Sequence, residues 1–467
     1  MFRRLFLGAT ATLALVLVAS GCADGPRLRQ DAPPIVFVHG NGDSAAVWQN
    51  IIWRFESNGW PRDRLFALQQ PYPLARDDDS KAQAGRSSTA EHMAFLKTEV
   101  AKVLAQTGAK QVVLVGNSRG GYAIRNYIQN GGGDKTVSHA ILGGTPNHGV
   151  WATPGLREGS EFAGTGPFLK GLNAPKNAAG DEVTGPVKWM TIRSDNNDKY
   201  AQPDGEWIGS KGTPTGIGYD GPELKGAQNV VVPRIDHRET SFSAQAFDAT
   251  YRFITGQAPT LPTVWPEATV ALSGVVTGMG VKPEDNRTGN FSNNLPAPKA
   301  VVEVYAVHYD TGLRVTKVPV YTQQTGPDGR WGPFKAVADV PYEFVVHAPG
   351  YATTHIYRSR FPRSSSVVNL KADRIANTDL SAFAIVNLTR PRGYLDPTNN
   401  HIELDGKFPP PGVPIARVAG VASSKVVTNV PGNRAIAAEF HTDENERIVG
   451  RTWPAKESHT VWLEISQ

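Results

Sequence analysis

The sequence predicts an α/β chain, a doubly wound and mostly parallel sheet flanked by helices, followed by an all-β C-terminal region. Three observations carry that prediction. Pro34-Ile35-Val36-Phe37-Val38 and the segment Gln111 to Val115 are apolar runs of the kind that form strands buried on both faces. Between them Met93, Leu96, Val100, Val103 and Leu104 recur at helical spacing. Beyond a linker punctuated by Pro259, Pro262 and Pro266, helical periodicity nearly vanishes and short alternating strands take over.

Composition bounds the function. A chain of 467 residues has room for roughly three domains, and 40% hydrophobic with 19% charged residues describes an ordinary globular protein. The net charge of +5 comes from basic residues scattered along the chain, without the stripes that track a phosphate backbone, so nucleic acid is not an expected partner. Cys22 is the sole cysteine and the eleven histidines are widely spaced, which leaves no metal-ligand pattern.

The amino terminus is an address. Arg3 and Arg4 precede an apolar stretch from Leu5 to Val18, and Ala19-Ser20-Gly21 closes it before Cys22. Residues 1–21 therefore form a signal peptide, too short in its apolar part to span a bilayer comfortably. Ala19-Ser20-Gly21-Cys22 resembles the lipobox of bacterial lipoproteins, which implies that Cys22 is acylated and anchors the protein to a membrane. Arg3-Arg4-Leu5-Phe6-Leu7 is similar to a twin-arginine export signal, with Phe2 and Gly8 departing from it. The expected location is the bacterial cell envelope, at the outer membrane or cell surface, or outside the cell.

The α/β segment is expected over residues 31–257. Its first strand covers residues 34–38, and Ser88 with Glu91 forms a capping box opening a helix that Gly108 ends. Later strands are expected at 111–115, 140–142, 189–192 and 230–232, alternating with helices or loops. Residues 268–375 read as a β-sandwich, with strands such as 300–307 and 342–347 and a turn at Gly326-Pro327-Asp328-Gly329. Residues 376–467 are also strand-rich, with late strands at 435–440 and 460–465; whether they join the same sandwich is left open.

Gly116-Asn117-Ser118-Arg119-Gly120-Gly121 sits between the strand at 111–115 and an amphipathic segment bearing Tyr122, Ile124, Tyr127 and Ile128. That is the strand, turn, helix context of a nucleophile elbow, where glycines flank the serine because the backbone turns too sharply for side chains. The bare motif is weak in a chain with 47 glycines; its context gives it meaning. Asp195, Asp198 and His237 follow later predicted strands, in the order serine, acid, histidine.

With Val38-His39-Gly40-Asn41-Gly42, these motifs make residues 33–256, about half the chain, resemble an α/β-hydrolase of the secreted lipase and esterase kind. The resemblance implies Ser118 as nucleophile, His237 as base, and the backbone amides of Asn41 and Arg119 as the oxyanion hole. It favours Asp198 over Asp195 as the triad acid, Asp195 bracing the loop instead. His148 is expected to serve loop architecture and His39 to brace its own loop. The implied reaction is cleavage of carboxylic esters, lipids above all, through an acyl-enzyme and without a cofactor.

Trp151 to Pro186 occupies the place of a lid or acyl-pocket cap, and Trp48, Trp53 and Trp60 either line the pocket or pack a helix on the sheet. The stretch 268–370 is similar to transthyretin-like or carboxypeptidase-regulatory-like sandwiches, which allows a surface-binding or a purely structural role. Alternatives of function are a polyester (polyhydroxyalkanoate-type) depolymerase, an amide hydrolase on the same triad, and a surface-binding lipoprotein without turnover.

Overall fold

Two apolar faces alternate along the strands of the N-terminal half, and a layer of helices covers each. The computed structural model describes residues 26–467 except 196, 209, 280–292, 377–378, 414–422, 429–433 and 442–444. The signal segment and Cys22 lie outside the described residues. Strands β1 (Ile35–Val38), β2 (Leu65–Ala67), β3 (Val112–Asn117), β4 (Val137–Gly143), β5 (Lys188–Arg193) and β6 (Gln228–Val231) form one sheet in the order β2-β1-β3-β4-β5-β6. Every pairing in it is parallel.

On one face Ile35, Phe37, Val113, Val115, Ile141 and Met190 pack against α1 (Gln49–Ser57) and α6 (Ala244–Thr255). The intervening residues Val36, Val38, Val112, Leu114, Ala140 and Leu142 point the other way, against α2 (Thr89–Thr107) and α3 (Arg119–Asn130). This period of two, buried on both sides, is why the strands read as unbroken apolar runs. The predicted capping box of α2 is present: Glu91 N donates to Ser88 Oγ at 3.2 Å and Ser88 N to Glu91 Oε2 at 2.7 Å. Two short helices, α4 (Pro167–Leu172) and α5 (Glu239–Phe242), lie in connections at the sheet's carboxyl end. The α/β fold is as expected; β2, a three-residue edge strand, carried no sequence signal.

Beyond the linker all described strands belong to three sheets. β7 (Val270–Gly278) pairs with β10 (Arg330–Ala336) and β13 (Leu370–Ala372). A seven-stranded mixed sheet runs through β16 (Ser423–Thr428), β14 (Ala384–Thr389), β19 (His459–Glu464), β12 (Thr353–Arg358), β11 (Tyr342–His347), β8 (Val301–Ala306) and β9 (Tyr321–Gln324). β15 (His401–Leu404), β17 (Ala435–His441) and β18 (Asn445–Arg451) make the third. The first sheet packs on the large one through Leu272, Trp331, Val304 and Phe344, and the third through Leu404, Phe440, Leu388 and Leu463. The question left open by the sequence is answered by hydrogen bonds, because β19 and β14 extend the sheet that contains β8, β11 and β12.

The β-rich region is fastened to the α/β layers. Arg363 donates to Glu56 at 2.9 Å and to Glu267 at 3.0 Å, all three side chains being largely buried. Trp53 Nε1 donates to Ser364 O at 2.9 Å.

Candidate active site

Ser118 closes β3 and caps α3 with φ 51° and ψ −121°, a conformation costly for a residue with a side chain and held only by its surroundings. Those surroundings are tight. A Cβ on Gly120 would stand 2.1 Å from Val38 O, one on Gly121 1.9 Å from Thr145 Oγ1, and one on Gly116 2.7 Å from Ile124 Cδ1. The turn is tied down by Ser118 N to Gly143 O at 2.9 Å and Thr145 Oγ1 to Ser118 O at 3.1 Å.

His237 and Asp198 meet across loops that follow β6 and β5. His237 Nδ1 lies 2.8 Å from Asp198 Oδ2, and a carboxylate only accepts, so the proton sits on Nδ1. Nε2 is then the nitrogen left to act as a base; it is buried and has no hydrogen-bond partner among the described residues. Asp198 Oδ1 accepts from Tyr200 N at 2.8 Å, which fixes the carboxylate from its other side. Asp195 takes no part in this pairing and accepts from Arg234 N at 3.0 Å, bracing the loop ahead of His237.

Ser118 and His237 line one cavity of about 190 Å³ with Asn41, Val150, Trp151 and Phe162. Asn41 is held by its side chain, which accepts from Ala75 N at 2.7 Å, while its neighbours Gly42 and Asp43 donate to Pro73 O and Gly40 O. Arg119 is the first residue of α3, so its amide has no intrahelical acceptor. Its guanidinium is fully buried and forms a two-pronged pair with Glu161, 2.8 Å on each prong, inside the 151–186 segment. Burial pushes the Glu161 carboxyl up, against the pull of Arg119.

Several side chains around the site went unread in the sequence. Asn117 Nδ2 reaches His237 O at 3.3 Å and Ser241 Oγ at 3.1 Å, tying the elbow to the histidine loop. Asp43 pairs with Arg238. Tyr200 lies against the His237 ring at 4.4 Å, and Tyr394, from the β-rich region, lies nearly parallel to it at 6.5 Å and lines the same cavity. Asp236 could have been suspected from its place beside His237; nothing local marks Tyr394.

His39 Nδ1 donates to Gly40 O at 3.0 Å while Nε2 accepts from Gln70 N at 3.2 Å, so it braces its loop. His148 Nε2 bonds Glu182 Oε1 at 2.9 Å, and His148 lines a second, smaller cavity that Asp198 and His237 also border. None of Trp48, Trp53 and Trp60 touches the cavity of Ser118. Trp48 packs on Phe37 and Phe242, and Trp60 on Phe55 and Tyr251, because their bulk fills the layer between α1, α6 and the sheet. Trp151 is the tryptophan at the cavity. Among the described residues no three His, Cys, Asp or Glu side chains converge as a metal-binding group, and no helix is long and apolar enough to cross a membrane.

Comparison with known proteins gives two family matches. Residues 32–156 match the model of the class 2 lipases, and residues 268–375 that of the lipase C-terminal domain. Among curated proteins, a non-heme haloperoxidase of Rhodococcus erythropolis is 28% identical over 117 residues; the match takes in 24% of this chain and 37% of that relative. Among solved structures, a Bacillus licheniformis lipase in its propeptide form aligns over 91% of this chain and 94% of its own, at 14% identity and a TM-score of 0.35. Lipase B of Aspergillus fumigatus aligns over 49% of this chain and 54% of its own, at 14% identity and a TM-score of 0.34.

Proposed function

We propose that this chain is a carboxylic ester hydrolase, in keeping with the match of residues 32–156 to the class 2 lipases, and that it works through a triad of Ser118, Asp198 and His237 on lipid or other apolar esters at the cell envelope. The observation that carries the triad is the 2.8 Å contact of His237 Nδ1 with Asp198, on a ring whose Nε2 has no partner among the described residues and which shares a cavity with Ser118. His237 accepts the Ser118 proton as Oγ attacks the ester carbonyl. The amides of Asn41 and Arg119 hold the oxyanion, and the proton passes to the leaving alcohol. Water activated by the same nitrogen then releases the acid. Asp198 keeps the proton on Nδ1 throughout and stabilises the imidazolium.

Val150, Trp151 and Phe162 give the cavity an apolar wall, which supports an apolar acyl or alcohol portion. Hydrolysis of p-nitrophenyl butyrate and of a long-chain homologue tests this reading. Turnover is expected to fall at least about a thousandfold in Ser118→Ala and in His237→Ala. Asp198→Asn should cost far more than Asp195→Asn, whose loss should stay within about tenfold because its carboxylate accepts from Arg234 N while that of Asp198 meets His237. Activity persisting in Ser118→Ala overturns the mechanism, and a steep preference for the short ester overturns the lipid assignment. Anchoring through Cys22 is tested by metabolic labelling with palmitate: the label should be lost, and the protein leave the membrane fraction, in Cys22→Ala.

A further inference from the structure

Three loops build the candidate site, and each is held by a side chain from beyond the linker. Asn294 Nδ2 donates to Asp43 O at 2.8 Å and to Gln70 O at 2.9 Å, behind the loop that carries Asn41. On the histidine loop, buried Arg390 reaches Asp236 Oδ2 at 3.3 Å and also pairs with Glu239, while Tyr394 N donates to the same Asp236 oxygen. On the acid loop, Asn197 Nδ2 donates to Asp396 Oδ2 at 3.0 Å and to Arg234 O at 3.3 Å, one residue before Asp198. Asp396 is itself fully buried and accepts from Thr398 N and Asn399 Nδ2.

Buried charges, Arg390 and Asp396, hold two of these loops and the buried Asn294 amide holds the third, an arrangement that a module present only for stability or for surface binding does not need. Each such charge is costly unless its partner is in place, so each contact fixes one geometry rather than merely adding adhesion. The tightest cluster falls within the segment Arg390 to Asp396, immediately after β14, and reaches the residues flanking both His237 and Asp198.

We infer that the β-rich region is part of the catalytic unit. Arg390 and Asp396 are positioning residues that set His237 and Asp198 for the reaction, and Tyr394 forms a wall of the substrate cavity. The inference rests on the triad reading above. It implies that the site is incomplete without the sheet formed by β14 and β19, although the nucleophile, base and acid all lie before residue 240.

Asp396→Asn in the full chain is the first test. The amide keeps the shape but turns a donor toward the donors of Asn197 and Asn399, or, if flipped, toward Thr398 N. The expected result with p-nitrophenyl butyrate is a fall in kcat of about tenfold or more, since small misplacements of catalytic groups are costly, with KM within about twofold. Asn197→Ala should give a similar loss, and the double variant should be no worse than the poorer single one if Asp396 acts through Asn197. Arg390→Lys should retain more activity than Arg390→Met, with thermal unfolding recorded for every variant. Unchanged kcat in a folded Asp396→Asn, losses that multiply in the double variant, or a rise in kcat would overturn the inference. Wild-type turnover that survives Ser118→Ala would instead defeat the triad reading on which it rests, so the two failures are distinguishable.

Discussion

Gly120 stands where one methyl group decides the geometry of the elbow. The atoms that an added Cβ would meet, Val38 O at 2.1 Å and His39 O at 2.9 Å, are backbone and cannot rotate away. Gly120→Ala is therefore expected to cost about 1–3 kcal/mol by overpacking and to displace the loop that carries Asn41. Denaturant unfolding measures the first effect, and kcat for an ester the second. Glu161 makes the opposite point, because its removal takes something away from Arg119. Glu161→Ala leaves a fully buried guanidinium with only Pro73 O, Ser87 O and Ser87 Oγ as partners. Breaking such a pair costs about 3–5 kcal/mol, readable as a lower denaturation midpoint. Ser118 could be read from the sequence because its requirements are local: glycines at fixed offsets, a strand before and a helix after. Its partner loops were placed by chain order, and in the fold the carboxylate that meets His237 is that of Asp198.

At the scale of elements, what a segment states about itself is what the sequence revealed. The helix α2 announces its start with Ser88 and Glu91 and its end with Gly108, which has φ 67° and caps the last turn. Ser88→Ala removes the oxygen that holds Glu91 N, and thermal unfolding should report a loss of about 1 kcal/mol. β2 shows the reverse case: three residues on an edge are held by β1 and carry no pattern of their own. The segment Arg390 to Asp396 was illegible for a related reason. Its partners Asp236 and Asn197 lie more than 150 residues away, and no spacing within a strand or helix encodes a contact at that range.

The whole molecule carries titratable groups that its burial keeps neutral. His92 on α2 and His39 beside the elbow are both held below the ordinary imidazole value of 6.5, chiefly by desolvation, with Arg119 adding repulsion to each. A folded-state value below that of the unfolded chain means that the unfolded state binds more protons. Stability is then whole above pH 6.5 and declines as the pH falls from 6.5 toward the lowered folded values. The share of stability that rests on His92 should fall between pH 7 and pH 5, so any deficit in melting temperature of His92→Gln against the wild type should narrow toward pH 5.

The large sheet of the β-rich region also has an order of assembly written into it. β19 lies between β12 and β14, parallel to both, and joins them at Ile356, Trp462 and Asn387. Until residues 459–464 have left the ribosome, β12 and β14 have no common neighbour, and the stretch that bears Arg390 and Asp396 follows a strand paired with β16 alone. The α/β layers can pack earlier, since their strands are complete by residue 231. A nascent chain would thus hold a shaped elbow and a buried sheet while still unable to seat its acid and base. On the triad and the positioning role proposed above, catalytic competence would arrive only with the strand that ends at Glu464.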